Sequence, residues 1–227
     1  VLIKFNNSVL SAFNFERLID TYVYKLFKNV FIDDKLLTRS TIFDYEILLS
    51  VKDISVNGNL FIGDRACNIG LTGIGNTGVG TEAGFSSTSA SFSTLFGSQA
   101  GKNLTSGNRN TFLGREAGRD TTTGEDNAFT GFQAGQLNQT GNNNVAMGSE
   151  AFLNNTTSNG NVTIGRSAGK NLNNDDNTFV GNQSGLSSTT ATQNVMVGAY
   201  SGKNNETGSN NVLVGFNAGL TGTSWRS

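Results

Sequence analysis

One phrase, Asn-x-apolar-apolar-Gly, returns ten times between Asn59 and Gly219. Three copies read Asn110-Thr111-Phe112-Leu113-Gly114, Asn161-Val162-Thr163-Ile164-Gly165 and Asn211-Val212-Leu213-Val214-Gly215. The anchoring glycines are Gly63, Gly80, Gly97, Gly114, Gly131, Gly148, Gly165, Gly181, Gly198 and Gly215. They stand 17 residues apart, except for one step of 16 between Gly165 and Gly181. A fixed period of this size marks units that cannot bury an apolar side alone and must stack on one another. The chain is therefore confined to a repeat fold: an all-β parallel β-roll or β-solenoid of ten coils over residues 53–227.

Positions are counted here from the anchoring glycine. Positions −3 and −1 share one face of a short strand, because side chains alternate with a period of two. Position −1 is apolar in nearly every copy, from Ile62 to Val214. Position −2 points the other way, and it too is apolar: Phe61, Leu95, Phe112, Phe129, Ala146, Phe179, Met196 and Leu213. Both faces of the strand therefore look covered. One fills the coil. The −2 column is expected to be the second, an oligomer interface built from Phe61, Leu95, Phe112, Phe129, Phe179, Met196 and Leu213, since a long apolar row on a rod marks a contact surface. A symmetric homo-oligomer around the rod axis closes it most simply.

The glycine permits a sharp turn. Three residues on comes a small residue, such as Ala83, Ala100 or Ala117, expected to begin a second strand or a bend, and then a polar turn such as Asp120–Asp126. The missing residue of the short step falls in such a loop, between Gly169 and Asn177. Position −4 is Asn59, Asn76, Asn110, Asn127, Asn144, Asn161, Asn177, Asn194 and Asn211, with Ser93 in the remaining copy. Stacked side by side, these amides are expected to form a hydrogen-bonded ladder.

Composition excludes several classes of function. The net charge is −1, so nothing favours bulk attraction to nucleic acid or to an anionic membrane. No apolar run approaches a membrane-spanning length. The chain has no histidine, which removes the commonest general base and metal ligand. Cys67 has no partner for an intrachain disulfide and reads as a packed small side chain. The recurrent aspartates of calcium-binding rolls are missing, and Thr at −3 occurs in four copies only, too few for an ice-binding array. Glu82, Glu116 and Glu150 read as solvated outward charges, and Lys102, Arg119, Lys170 and Lys203 as a solubilising strip able to touch acidic glycans. No catalytic residue, metal site or cofactor is expected.

Residues 1–52 differ from the repeats. Phe15, Leu18, Ile19, Tyr22, Val23, Leu26, Phe27 and Val30 form a helical stripe over 13–31, and 41–51 suits a strand or second helix. This segment reads as a small helical or α+β cap, neck or attachment element. A strand with an Asn-Gly turn is expected over 53–58. The chain opens on Val1 and ends inside what would be an eleventh repeat, as a fragment or processed form would.

The phrase Asn-x-φ-φ-Gly-x-x-Ala-Gly resembles the repeats of phage tail-fibre-type proteins and, with a different loop length, the head repeats of trimeric autotransporter adhesins. The resemblance covers about residues 53–220. It implies a trimeric, left-handed parallel β-roll whose inner strands meet at a threefold axis. The expected function is that of a structural fibre subunit, a homotrimeric rod presenting loops for multivalent attachment at a virion or on the outside of a cell. Its expected partners are neighbouring structural proteins, reached through the N-terminal segment, and surface glycans. A bacterial surface adhesin or extracellular filament subunit is the alternative, with a glycan-degrading β-helix enzyme behind it.

Overall fold

The computed structural model describes residues 58–220 except Ile69, together with four short strands nearer the N-terminus. The chain divides into two compact units, Val1–Lys52 and Asp53–Ser227. In the first, β1 (Ile3–Phe5) pairs antiparallel with β2 (Ser8–Leu10), and β3 (Phe31–Ile32) with β4 (Lys35–Leu36). Apart from Phe31, the helix expected over 13–31 lies outside the described residues, as do the segment 41–51 and the expected strand before Gly58.

The second unit is a parallel β-solenoid. Each copy of the phrase supplies one three-residue strand: β5 (Leu60–Ile62), β6 (Thr77–Val79), β7 (Thr94–Phe96), β8 (Thr111–Leu113), β9 (Ala128–Thr130), β10 (Val145–Met147), β11 (Val162–Ile164), β12 (Thr178–Val180), β13 (Val195–Val197) and β14 (Val212–Val214). They form one ten-stranded parallel sheet in strict sequence order. Register is kept throughout: Phe112 pairs with Phe129, and across the short step Thr163 pairs with Phe179. At the usual strand spacing, nine steps give a stack roughly 43 Å long.

Among the described residues the rest of each coil is turn, bend or irregular, with no second strand. Turns in neighbouring coils still bond to each other. The Gly101 N–H donates to Ala117 O at 3.0 Å, Thr105 N–H to Thr122 O at 2.9 Å, and Glu116 N–H back to Ser98 O at 2.9 Å. Coils are thus joined on all sides, so backbone groups in the turns find partners without a second sheet.

Four corners with positive φ bend each coil. In one they are Arg109 (φ 57°), Gly114 (138°), Glu116 (58°) and Gly118 (56°). A Cβ on Gly114 would run into the carbonyl of Gly131 in the next coil, a clash that recurs at every anchoring glycine except Gly215 of the last strand, whose φ of 128° itself favours glycine. The left-handed corner at +2 carries a residue other than glycine in every coil, and that at −5 in seven of ten, at about 1–2 kcal/mol each. The stacked hydrogen bonds and core offset that cost.

The core lies inside the coil. It consists of the −2 column, the small residues at +3 (Ala83, Ala100, Ala117, Ala134, Ala151, Ala168) and a third column at +7 that includes Leu104 and Leu172. The rings of Phe112 and Phe129 stack at 5.1 Å, 8° from parallel. Large and small residues compensate around several of the coils. Leu104 accompanies Leu95 and Leu172 accompanies Thr163, whereas Phe112 and Phe129 face Thr121 and Asn138. One exchange is more drastic: Ala146 takes the −2 slot of its coil, and Phe152, at the +4 place that is glycine in most coils, turns its ring inward and is fully buried.

Candidate functional site

The strand faces are the reverse of the sequence expectation. Phe61, Leu95, Phe112, Phe129, Phe179 and Met196 are at most 2% exposed within a single chain, and Leu213 of the last strand packs on the same core. They fill the coil and are not available to a partner. The reason is geometric: a 17-residue coil has one interior, and at these strands the sharp corners on either side turn the −2 side chain into it.

The outward face is formed by positions −1 and −3. None of these twenty residues is buried. Phe96 is 57% exposed and Met147 46%, and Ile62, Leu113, Ile164, Val195, Val212 and Val214 are exposed as well. The remaining places hold Thr, Val, Ala and Leu. No charged residue occurs in either column, although 15% of the chain is charged. A flat, uncharged, partly apolar strip therefore runs along the sheet.

The asparagines at −4 are buried beside the core. Asn127 shows the pattern. Its N–H and Nδ2 donate to Asn110 Oδ1 at 3.0 and 3.2 Å, and Nδ2 also donates to Gly141 O at 2.8 Å. Its own Oδ1 accepts the N–H and Nδ2 of Asn144 at 3.0 and 3.1 Å. The amide thus ties the start of a coil to its end and to the neighbouring coils. Where Ser93 replaces Asn, the hydroxyl accepts the Asn110 N–H at 3.2 Å. Asn161, which heads the short coil, donates its Nδ2 to Asn159 O at 3.0 Å, a bond to the residue two places back that Asn177 and Asn194 also make.

A second ladder, at −6, was not anticipated. The Ser91 N–H donates to Asn108 Oδ1 (2.9 Å), Glu125 N–H to Asn142 Oδ1 (2.7 Å), Asn142 N–H to Asn159 Oδ1 (2.9 Å) and Asn159 N–H to Asp175 Oδ1 (2.7 Å). It runs opposite to the −4 ladder. The residue type varies among Ser, Asn, Glu, Asp and Thr, and only the shared acceptor oxygen at one spacing could have shown it in sequence.

The three glutamates at +2 are not solvated outward charges. Glu82 and Glu116 are buried and Glu150 is half-buried. Each sits under donors from the next coil. Lys102 Nζ (2.7 Å) and Gln99 Nε2 (2.9 Å) hold Glu82, Gln133 and Gln136 Nε2 (2.8 and 2.7 Å) hold Glu116, and Lys170 Nζ (2.7 Å) holds Glu150. These bonds hold all three carboxyls below the ordinary glutamate range: that of Lys102 foremost for Glu82, Gln133 for Glu116 and Lys170 for Glu150. Gln99, Gln133 and Ser167 occupy +2 in the intervening coils, so like charges are never on adjacent turns. Lys102 and Lys170 are engaged in these pairs, Arg119 is held chiefly by Asp120 (2.7 Å) with Glu116 at 3.6 Å, and Lys203 lies over the Tyr200 ring at 5.1 Å.

Cys67 stands one place beyond the small-residue slot, which Ala66 holds; its φ is 71°. Burial pushes its thiol up to about 11, so little thiolate forms at neutral pH. Among the described residues no group of three Cys, Asp or Glu converges as a metal site would. No protein-family model, curated protein or solved structure matches this chain.

Proposed function

We propose that the chain is a structural fibre subunit, a non-enzymatic rod at a virion or cell surface that associates as a homotrimer through the outward face of its sheet. One observation carries this reading: ten coils present twenty consecutive uncharged outward positions, among them exposed Phe96, Leu113, Met147 and Ile164. A charge-free row of exposed apolar side chains aligned along a rod is the kind of surface that serves as a contact between proteins. The repeat phrase, with its resemblance to fibre and adhesin-head repeats, supplies the stoichiometry and the role. Three parallel rods would present each loop three times, so weak contacts with surface glycans would add as avidity. The N-terminal segment is the natural attachment element. Light scattering on the full chain tests the reading. A mass three times 24.0 kDa is expected, and a monomer would overturn it.

A further inference from the structure

Among the described residues, five buried side-chain oxygens find no hydrogen-bond partner within the chain, and four of them stand together in the core. Thr121 Oγ1, Asn138 Oδ1 and Asn155 Oδ1 occupy +7 in three consecutive coils, and Ser158 Oγ follows three residues after Asn155. Thr121, Asn138 and Asn155 are fully buried and Ser158 is 3% exposed. Native proteins leave few buried oxygens unpaired, because each gives up its hydration for nothing. Four such oxygens in neighbouring turns point to a shared partner.

The same column shows what is missing here. Asn205 stands at +7 three coils after Asn155, and its amide closes on its own loop: Nδ2 donates to Gly208 O at 2.9 Å, and Oδ1 accepts the Gly208 N–H at 3.0 Å. Ser188, also at +7, donates its hydroxyl to Asn205 O at 2.9 Å. Asn138 makes only the donor half of the amide clamp, from Nδ2 to Gly141 O at 3.1 Å. Asn155 spends its Nδ2 on Leu172 O at 3.3 Å. Both amide nitrogens are thus used, and what remains is two acceptor oxygens and two hydroxyls.

The coils are in register at this column. The Thr122 N–H donates to Gln139 O at 2.9 Å and the Gln139 N–H to Thr156 O at 2.8 Å. Equivalent atoms on adjacent coils therefore stand about 4.8 Å apart. That is too far for a direct bond between oxygens, which needs about 2.8 Å. One water between two such oxygens reaches both with bonds of about 2.8 Å at an angle of about 120°, close to its own tetrahedral geometry. The chemistry agrees. Two amide oxygens both accept, so whatever joins them must donate twice, and the hydroxyls of Thr121 and Ser158 can then donate to it. No residue of the +7 column is charged, so nothing there compensates a buried cation. Leu104 and Leu172, both fully buried, occupy the column on either side of the polar run.

We infer that the core between Leu104 and Leu172 is a binding site for ordered water, which donates to Asn138 Oδ1 and Asn155 Oδ1 and accepts from the hydroxyls of Thr121 and Ser158. The site lies inside one chain and is independent of the homotrimer reading.

A high-resolution crystal structure of the full chain tests this. Ordered water is expected within hydrogen-bond reach of both Asn138 Oδ1 and Asn155 Oδ1, and none beside the closed amide of Asn205. Empty density between Asn138 and Asn155 would overturn the inference. So would a peak there that scatters anomalously after a rubidium soak, which would mark a monovalent cation instead of water. Thr121→Val and Ser158→Ala read the same site in solution. Each removes one hydroxyl with little change of shape, and alanine already stands at the place of Ser158 in two other coils, as Ala90 and Ala191. With water held by these hydroxyls, the thermal midpoint of each variant falls by a few degrees. A midpoint that stays or rises would show that the hydroxyls bind nothing, and would overturn the inference.

Discussion

Phe152 and Ala146 show that the interior is filled by volume rather than by position. Phe152 bears a left-handed φ of 57° at a place that is usually glycine, and its ring lies 6.3 Å from that of Phe129, next to the small Ala146. Phe152→Gly alone should cost about 3 kcal/mol, a deleted core ring partly offset by relief of the left-handed strain. Ala146→Phe alone should also destabilise, by overpacking. Together they restore the common pattern of the other coils, and denaturant unfolding should show that most of the loss is recovered. The glutamates give a second test at this scale. Glu82, Glu116 and Glu150 all have depressed carboxyls in the folded chain. Their contribution is complete above the unfolded glutamate value of about 4.3 and is lost as pH falls below it. Thermal midpoints should be flat near neutrality and fall below that pH. Glu116→Gln should flatten part of the decline; an unchanged acid limb would show that these bonds do not matter.

At the scale of the element, the strand is held less by its three residues than by the amides at its edge. Asn127→Ala removes the acceptor of two bonds from Asn144 and the donor to Gly141, leaving buried groups unpaired. A cost of about 3 kcal/mol is expected in chemical unfolding. Asn127→Ser should cost about half as much, because Ser93 keeps one acceptor in place by its hydroxyl. The repeat, the strands and the −4 asparagines were legible because each recurs as a residue type at one spacing. Which face of the strand points inward was not. With apolar residues at −1, −2 and −3, alternation gives two faces but no sign. The sign is set by the left-handed corners at −5 and +2. At −5 three coils carry Gly58, Gly75 and Gly160 and four carry Asn or Asp, a signal present in the sequence, whereas +2 holds residues as unlike as Arg65, Glu116 and Tyr200, which announce no such conformation. The glutamates were misread for a related reason. Their cover comes from Lys102, Gln136 and Lys170, about 20 residues away in sequence but one coil away in space.

At the scale of the whole molecule, the solenoid separates two tasks along each strand. The −2 column holds the coil together, and the −1 and −3 columns are left outward, uncharged and available. Substitutions should therefore divide sharply by parity. A charge at −2 should unfold the coil, whereas a charge at −1 should leave it folded and act only between chains. The most direct measurement is the solution mass of Leu113→Glu/Ile164→Glu beside that of the wild-type chain, with circular dichroism on both. A wild-type trimer and a folded monomeric variant are the predicted result. A variant that remains trimeric, or a wild-type chain that is itself monomeric, would contradict the assignment of the outward face as the contact between chains.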